Sequence, residues 1–172
     1  MPYSEQDNKQ WIMNQVKTHV QPKSVLDVGI GAGIYSGLLR VYAPDAVVDG
    51  VEIWEPYVEM FGLRNKYKTL YIQDVRKMDN FDYDLVIMGD VLEHMSEEDA
   101  VALWQKVSEQ ARWAIMSVPI IHHPQGIEFG NPYEVHVEED WTVERVLASF
   151  SHIIDHEVFP ITGAFLARFN NE

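Results

Sequence analysis

Apolar residues come along this chain in two rhythms: short unbroken runs that read as strands, and repeats every three to four residues that read as helices. The runs fall at residues 24–28, 46–52, 69–74, 83–90 and 114–118. Their length and lack of alternation predict strands covered on both faces. Between them lie helical repeats. Residues 4–20 carry Trp11, Ile12, Val16 and Val20 on one side, with Ser4 and Asp7 placed as a cap. After residue 33, Ile34, Leu38, Leu39 and Tyr42 face one way until Pro44 stops the pattern. Glu55-Pro56 opens a helix that should end near Arg64, and Ser96-Glu97-Glu98-Asp99 starts another bearing Val101, Leu103, Trp104 and Val107. Strands alternating with helices in this way predict an α/β fold, a parallel sheet with helices on both faces. The tail breaks the rule. After a helix near 142–150, the extended runs 152–159 and 164–169 are joined by Pro160-Ile161-Thr162-Gly163 as a hairpin, so one strand must run antiparallel.

The first strand ends in Asp27-Val28-Gly29-Ile30-Gly31-Ala32-Gly33. Three alternate glycines after a buried run let the main chain turn tightly and approach a ligand. In a dinucleotide G-x-G-x-x-G turn counted from Gly29, the third glycine would fall on Ile34. The second strand ends in Glu52, 19 residues past Gly33, where an acid can accept hydrogen bonds from a ribose. The order D-x-G-x-G-x-G resembles motif I of the class I, Rossmann-like S-adenosylmethionine-dependent methyltransferases. That resemblance covers roughly residues 24–169 and implies a doubly wound sheet of seven strands, mostly parallel with a C-terminal antiparallel hairpin strand. It further implies S-adenosylmethionine as cofactor and S-adenosylhomocysteine as product. Asp27, Gly29, Gly31 and Gly33 would cradle the methionine end, with Glu52 on the ribose and Ile53 over the adenine face. Asp74 would meet the adenine amino group, Val75 would give a backbone contact, and Asp90 would open the segment after the fourth strand.

Composition narrows the partners. At 172 residues the chain is one domain's worth, read as residues 1–23 for a first helix, 24–118 for the cofactor half, 119–140 for a lid loop and 141–172 for the last helix and hairpin. A net charge of −14 repels phosphate backbones, so a small-molecule acceptor is expected and nucleic acid is not. The basic residues Arg64, Lys66, Lys68, Arg76 and Lys77 read as a solvated edge. The absence of cysteine removes disulfides and thiolate metal sites. No apolar run approaches the ~20 residues that span a bilayer, and cytoplasmic residence follows as the default. Oligomeric state stays open.

Residues 119–140 form a long connection at the carboxyl edge of the sheet, where α/β proteins bind ligands. They carry His122, His123, Tyr133, Glu134 and His136. Methyl transfer needs alignment, and a base only for a protonated acceptor. His136, His94 and Tyr133 are the catalytic candidates. Asp90-x-x-Glu93-His94 with the distant His136 also resembles the metal site of small-RNA 2′-O-methyltransferases and some ubiquinone-pathway O-methyltransferases, which would add Mg²⁺ or Mn²⁺. Read more plainly, the same residues are a cofactor-loop segment and a helix start, which call for no metal. Two other classes remain from the sequence alone: an NAD-dependent oxidoreductase, and a non-catalytic cofactor-binding module.

Overall fold

The computed structural model describes residues 3–169. Seven strands form one sheet: β1 (Ser24–Val28), β2 (Val47–Glu52), β3 (Leu70–Ile72), β4 (Leu85–Gly89), β5 (Trp113–Pro119), β6 (Ile153–Val158) and β7 (Thr162–Arg168). Their order is β3-β2-β1-β4-β5-β7-β6. The first five are parallel, and β7 runs antiparallel to both β5 and β6. The reversed strand of the expected hairpin is therefore β7, inserted between its two neighbours. The helices are α1 (Lys9–Gln15), α2 (Ile34–Tyr42), α3 (Pro56–Met60), α4 (Glu97–Gln110) and α5 (Val143–Ser149).

Two-sided cover explains the unbroken apolar strands. On β4, Leu85 and Ile87 join Ile12, Met13, Val16 and Leu39 from α1, the turn after it and α2, while Val86 and Met88 join Leu103, Trp104 and Val107 of α4. Each such side chain contributes about 1.5–3 kcal/mol when buried. A slip of one residue would exchange the two cores, so the register is fixed. No helix among the described residues is long and apolar enough to cross a membrane.

The first helix departs from its expected bounds. It begins at Lys9 with no side-chain cap and continues into a π-helical turn, Val16–Val20, which Gln21 ends in the left-handed region. Ser4 and Asp7 are not caps because tertiary bonds draw their segment away. The Glu5 amide donates to Asp90 Oδ2 at 2.7 Å, and Asn8 Nδ2 donates to Thr162 Oγ1 at 2.9 Å. Residues 3–8 thus strap across the carboxyl ends of the strands. α3 also stops early, at Met60, because Gly62 turns left-handed at φ +60 before a short 3-10 turn at Leu63–Asn65. α4 starts as expected, with Ser96 Oγ accepting from the Asp99 amide at 3.2 Å.

Candidate active site

β1 and β4 lie side by side although β2 and β3 separate them in sequence, so the connections diverge and a crevice opens at their carboxyl ends. An open cavity occupies it, lined among others by Gly29, Gly31, Glu52, Ile53, Asp74, Val75 and Asp90. Polar groups converging on a partly apolar crevice at a switch point suit a small organic ligand. Gly29 sits at φ +65, and a Cβ there would come 2.6 Å from a methyl of Val91. Only glycine lets β1 turn beneath the end of β4.

The glycine turn offers room more than donors. The Gly29 and Ile30 amides donate to Val51 O, the Gly31 amide to Glu52 Oε2 at 3.1 Å, and the Gly33 amide to Ile30 O. Gly33, expected in the cradle, does not line the cavity; it lies against Leu63 and Lys66. Asp27 is the larger correction. Strand alternation turns it away from the cavity, and it is 1% exposed, accepting from the Tyr67 hydroxyl at 2.7 Å. Its other oxygen has no partner, and burial pushes its carboxyl up to about 7. Of the three acids expected to converge, only Glu52 and Asp74 face the cavity.

Glu52 is held by two amides, Trp54 N at 2.8 Å to Oε1 and Gly31 N to Oε2. Each oxygen keeps a second lone pair for a ligand hydroxyl. Burial pushes this carboxyl up to about 7, with Glu134 adding to the rise. Asp74 accepts a fork from Arg76 at 2.7–3.1 Å, which holds it below the usual carboxylate range.

The lid loop reaches this cavity too. Tyr133 leans on Trp54, ring centroids 6.1 Å apart, and lines the larger cavity beside Asn131 and Glu134. It was expected among the catalytic groups, and it lines the larger cavity and not the smaller pocket. The Tyr57 hydroxyl donates to Glu134 Oε1 at 2.8 Å. Tyr35, absent from the candidates read from the sequence, also lines the cavity, with its hydroxyl buried beside Ser4 and Ser117.

A second, small pocket adjoins the first and is lined by Tyr3, Glu5, Asp90, Glu93, His94, Pro119, His123, Gln125 and His136. Asp90 and His94 line both spaces and form the wall between them. The His94 and His136 rings meet edge-on at 4.9 Å. His94 Nδ1 lies 3.2 Å from Val135 O, and His136 Nδ1 lies 2.5 Å from His123 O. A carbonyl partner places the proton on Nδ1 and leaves a lone pair on Nε2. Burial pushes His94 down to about 4 and lowers His136 as well, so both rings are neutral at pH 7. Glu93 is 1% exposed, its Oε2 has no partner, and burial beside Asp90 raises its pKa well above the usual range.

Donor atoms of Glu93, His94 and His136 all lie within 4.8 Å of one another, a set that could hold a divalent cation. Asp90, the fourth member expected from the sequence, is not in that set. Its carboxylate accepts from Ser117 Oγ and from the Glu5 amide, both at 2.7 Å. His122 pairs with Asp140 in solvent, outside both pockets.

A parallel sheet with a glycine turn under its switch point and an acid at the end of β2 defines a Rossmann-like nucleotide-binding protein. A family model described as a methyltransferase domain matches residues 25–112. The chain belongs to that family, the class I S-adenosylmethionine-dependent methyltransferases that its glycine turn resembles. No curated protein matches it by sequence. Among solved structures, human N-acetylserotonin methyltransferase in complex with S-adenosylmethionine is 15% identical with a TM-score of 0.72, over 95% of this chain and 52% of that one. A candidate O-methyltransferase from Nostoc punctiforme is 19% identical with a TM-score of 0.70, over 94% and 56%. The N-terminal domain of EvdMO1, determined with S-adenosylhomocysteine and D-fucose, is 14% identical with a TM-score of 0.68, over 98% and 85%. At these identities the likeness is one of fold. The chain spans about half the length of the first two.

Proposed function

We propose that the protein moves the methyl group of S-adenosylmethionine onto an oxygen or nitrogen of a small acceptor. The observation that carries this reading is the shared wall: Asp90 and His94 border both the larger cavity over the glycine turn and a smaller, imidazole-lined pocket. Bound in the larger cavity, S-adenosylmethionine supplies a methyl group already activated by its sulfonium. Glu52 accepts from the ribose hydroxyls, Ile53 packs on the adenine face, Val75 gives the adenine a backbone contact, and Asp74 meets its amino group. Asp90 faces the ammonium. The Tyr133–Trp54 pair covers the ribose side and excludes water.

In the smaller pocket, His136 takes the proton of the acceptor at Nε2, and His94 packs edge-on against it. The acceptor's electron pair then joins the methyl carbon while the bond to sulfur breaks and the thioether leaves. General base help of this kind contributes ~10²–10⁴-fold. Glu5, Asp90 and Glu93 line the pocket and no Lys or Arg does, which favours a hydroxyl or amine acceptor over a phosphate or carboxylate. The EvdMO1 structure, with a sugar present, fits a small-molecule acceptor. A second reading adds a divalent cation on Glu93, His94 and His136, favoured by the orphaned Glu93 Oε2. Such an ion would lower the pKa of an acceptor hydroxyl.

The test is incubation with methyl-labelled S-adenosylmethionine and a panel of small alcohols, phenols, sugars and amines. Label transfer with release of S-adenosylhomocysteine is expected for a hydroxyl or amine acceptor. Tight cofactor binding with no transfer across the panel would point to the non-catalytic module instead.

A further inference from the structure

The smaller pocket is built to accept hydrogen bonds and has few to give. The amides of Glu5, Asp90, His94, His123 and His136 are spent on Asp90 Oδ2 and on the carbonyls of Ser117, Val91, Glu139 and Gln125. Pro119 has no amide hydrogen. The side chains repeat the pattern. Gln125 spends its nitrogen on Glu134 O at 2.6 Å, and the Nδ1 atoms of His94 and His136 face carbonyls, which leaves a lone pair on each Nε2. Glu5 and Asp90 add carboxylates, and no Lys or Arg lines the space.

One oxygen marks where a ligand is missing. Glu93 is 1% exposed, and its own amide is the backbone group that bears on its carboxyl, yet Oε2 has no hydrogen-bond partner among the described residues. An oxygen of the same side chain lies within 4.8 Å of ring nitrogens of His94 and His136. A buried acceptor left unpaired is costly, so a donor from a ligand would complete it.

Charge decides between the two nucleophile elements. An oxygen that has lost its proton is negative, and this lining offers it neither donors nor a cation. A deprotonated amine is neutral and turns positive as the methyl group arrives, with Glu5 and Asp90 facing the new charge.

Resting on the reading that the adjoining cavity holds S-adenosylmethionine, we propose that the acceptor is a small amine, methylated on nitrogen in this pocket. It enters as an ammonium, donates to Glu93 Oε2 and gives one proton to His136 Nε2. The freed pair on nitrogen forms the bond to the methyl carbon while the carbon–sulfur bond breaks, its electrons staying on sulfur. The product leaves as a methylated ammonium, and S-adenosylhomocysteine remains in the larger cavity.

The experiment first titrates S-adenosylmethionine into the wild-type chain by calorimetry. It then supplies methyl-labelled donor with ethylamine against ethanol, benzylamine against benzyl alcohol, and tyramine, which carries both an amine and a phenol. Mass spectrometry locates the label. Amines should be methylated at least about tenfold faster than the matching alcohols, and tyramine on nitrogen. Glu93→Gln keeps the shape but turns one oxygen into a donor, so the amine KM should rise by about tenfold or more while the Kd for S-adenosylmethionine moves less than about threefold. Glu5→Gln, on the half-buried strap, should raise the amine KM by a smaller factor, about threefold, and carries the test if Glu93→Gln does not fold. Label on alcohols or on the phenol, or on no amine although the donor binds, would overturn the amine and leave the donor reading standing. So would an amine KM unmoved in the folded variants. Transfer to hydroxyls only when Mg²⁺ or Mn²⁺ is added would overturn it in favour of the divalent-cation reading. Failure of S-adenosylmethionine to bind would overturn the donor reading, and the amine with it.

Discussion

The larger cavity and the smaller pocket share a wall but are built in opposite ways. The first is framed by the ends of β1, β2, β3 and β4, where side-chain direction follows from strand register. The second is assembled from the strap at residues 3–8, the turn after β4 and the lid loop, tied together by long-range bonds. Val137 and Glu138 amides both donate to Glu93 O, and the His136 amide donates to Gln125 O. A donor site common to a family can sit on invariant sheet geometry, while the acceptor site is free to vary with its loops.

The largest effect that would sharpen this contrast comes from Glu52→Ala. Affinity for S-adenosylmethionine should fall by more than about 100-fold, because ribose hydroxyls lose their acceptor, while circular dichroism still shows a cooperative thermal transition. Unchanged affinity would remove Glu52 from the site.

His136→Ala probes the other side. Once an acceptor is in hand, kcat should fall by about 100-fold, while the Kd for S-adenosylmethionine moves by less than about threefold. Equal losses in both would mean that the two spaces act as one.

Titration separates the regions a third way. Asp27 and Glu52, raised to about 7 from ordinary values of 3.8 and 4.5, bind protons more tightly folded than unfolded. Their contribution to stability therefore grows as pH falls through 7, by up to about 1.4 kcal/mol per pH unit for each group. His94 has the opposite sign. Its folded value near 4 lies below the ordinary 6.5, so the unfolded chain takes the proton first and stability is lost below pH 6.5. The ligand-free Tm should rise from pH 8 to 6.5 and rise less steeply below that, because His94 then offsets one of the two carboxyls. Asp27→Asn should flatten the upper limb, and a Tm that climbs with pH between 6.5 and 8 would contradict the assignment.

Tyr133→Ala should give the smallest change. Loss of its packing on Trp54 should weaken S-adenosylmethionine about threefold, an edge contact's worth, with the acceptor KM unmoved. A rise in acceptor KM alone would return Tyr133 to the smaller pocket.

The division between strand ends and loops is also the division between what was legible in the chain and what was not. Unbroken apolar runs announced a sheet covered on both faces, and the spacing from Gly33 to Glu52 put a carboxylate at the end of β2. Asp27 misled because a motif gives proximity and not direction; alternation on β1 sends it toward Tyr67. Ser4 and Asp7 looked like a helix cap since their bonds to distant strands leave no local trace. Tyr35 lay outside the apolar repeat read on α2, and only its folded place in the cavity wall marks it. Within the lid loop the histidines and Tyr133 were visible as residues, yet their sorting into two spaces depends on contacts of Tyr133 with Trp54 and of His136 with His94, 79 and 42 residues away.

The central claim is that the crevice over Gly29, Gly31 and Glu52 takes an adenosine joined to an amino acid. Parallel calorimetric titrations of the wild-type chain with S-adenosylmethionine and with NAD test it most directly. The account predicts one-to-one binding of S-adenosylmethionine and no measurable heat with NAD. Saturable binding of NAD, with none of S-adenosylmethionine, would contradict it.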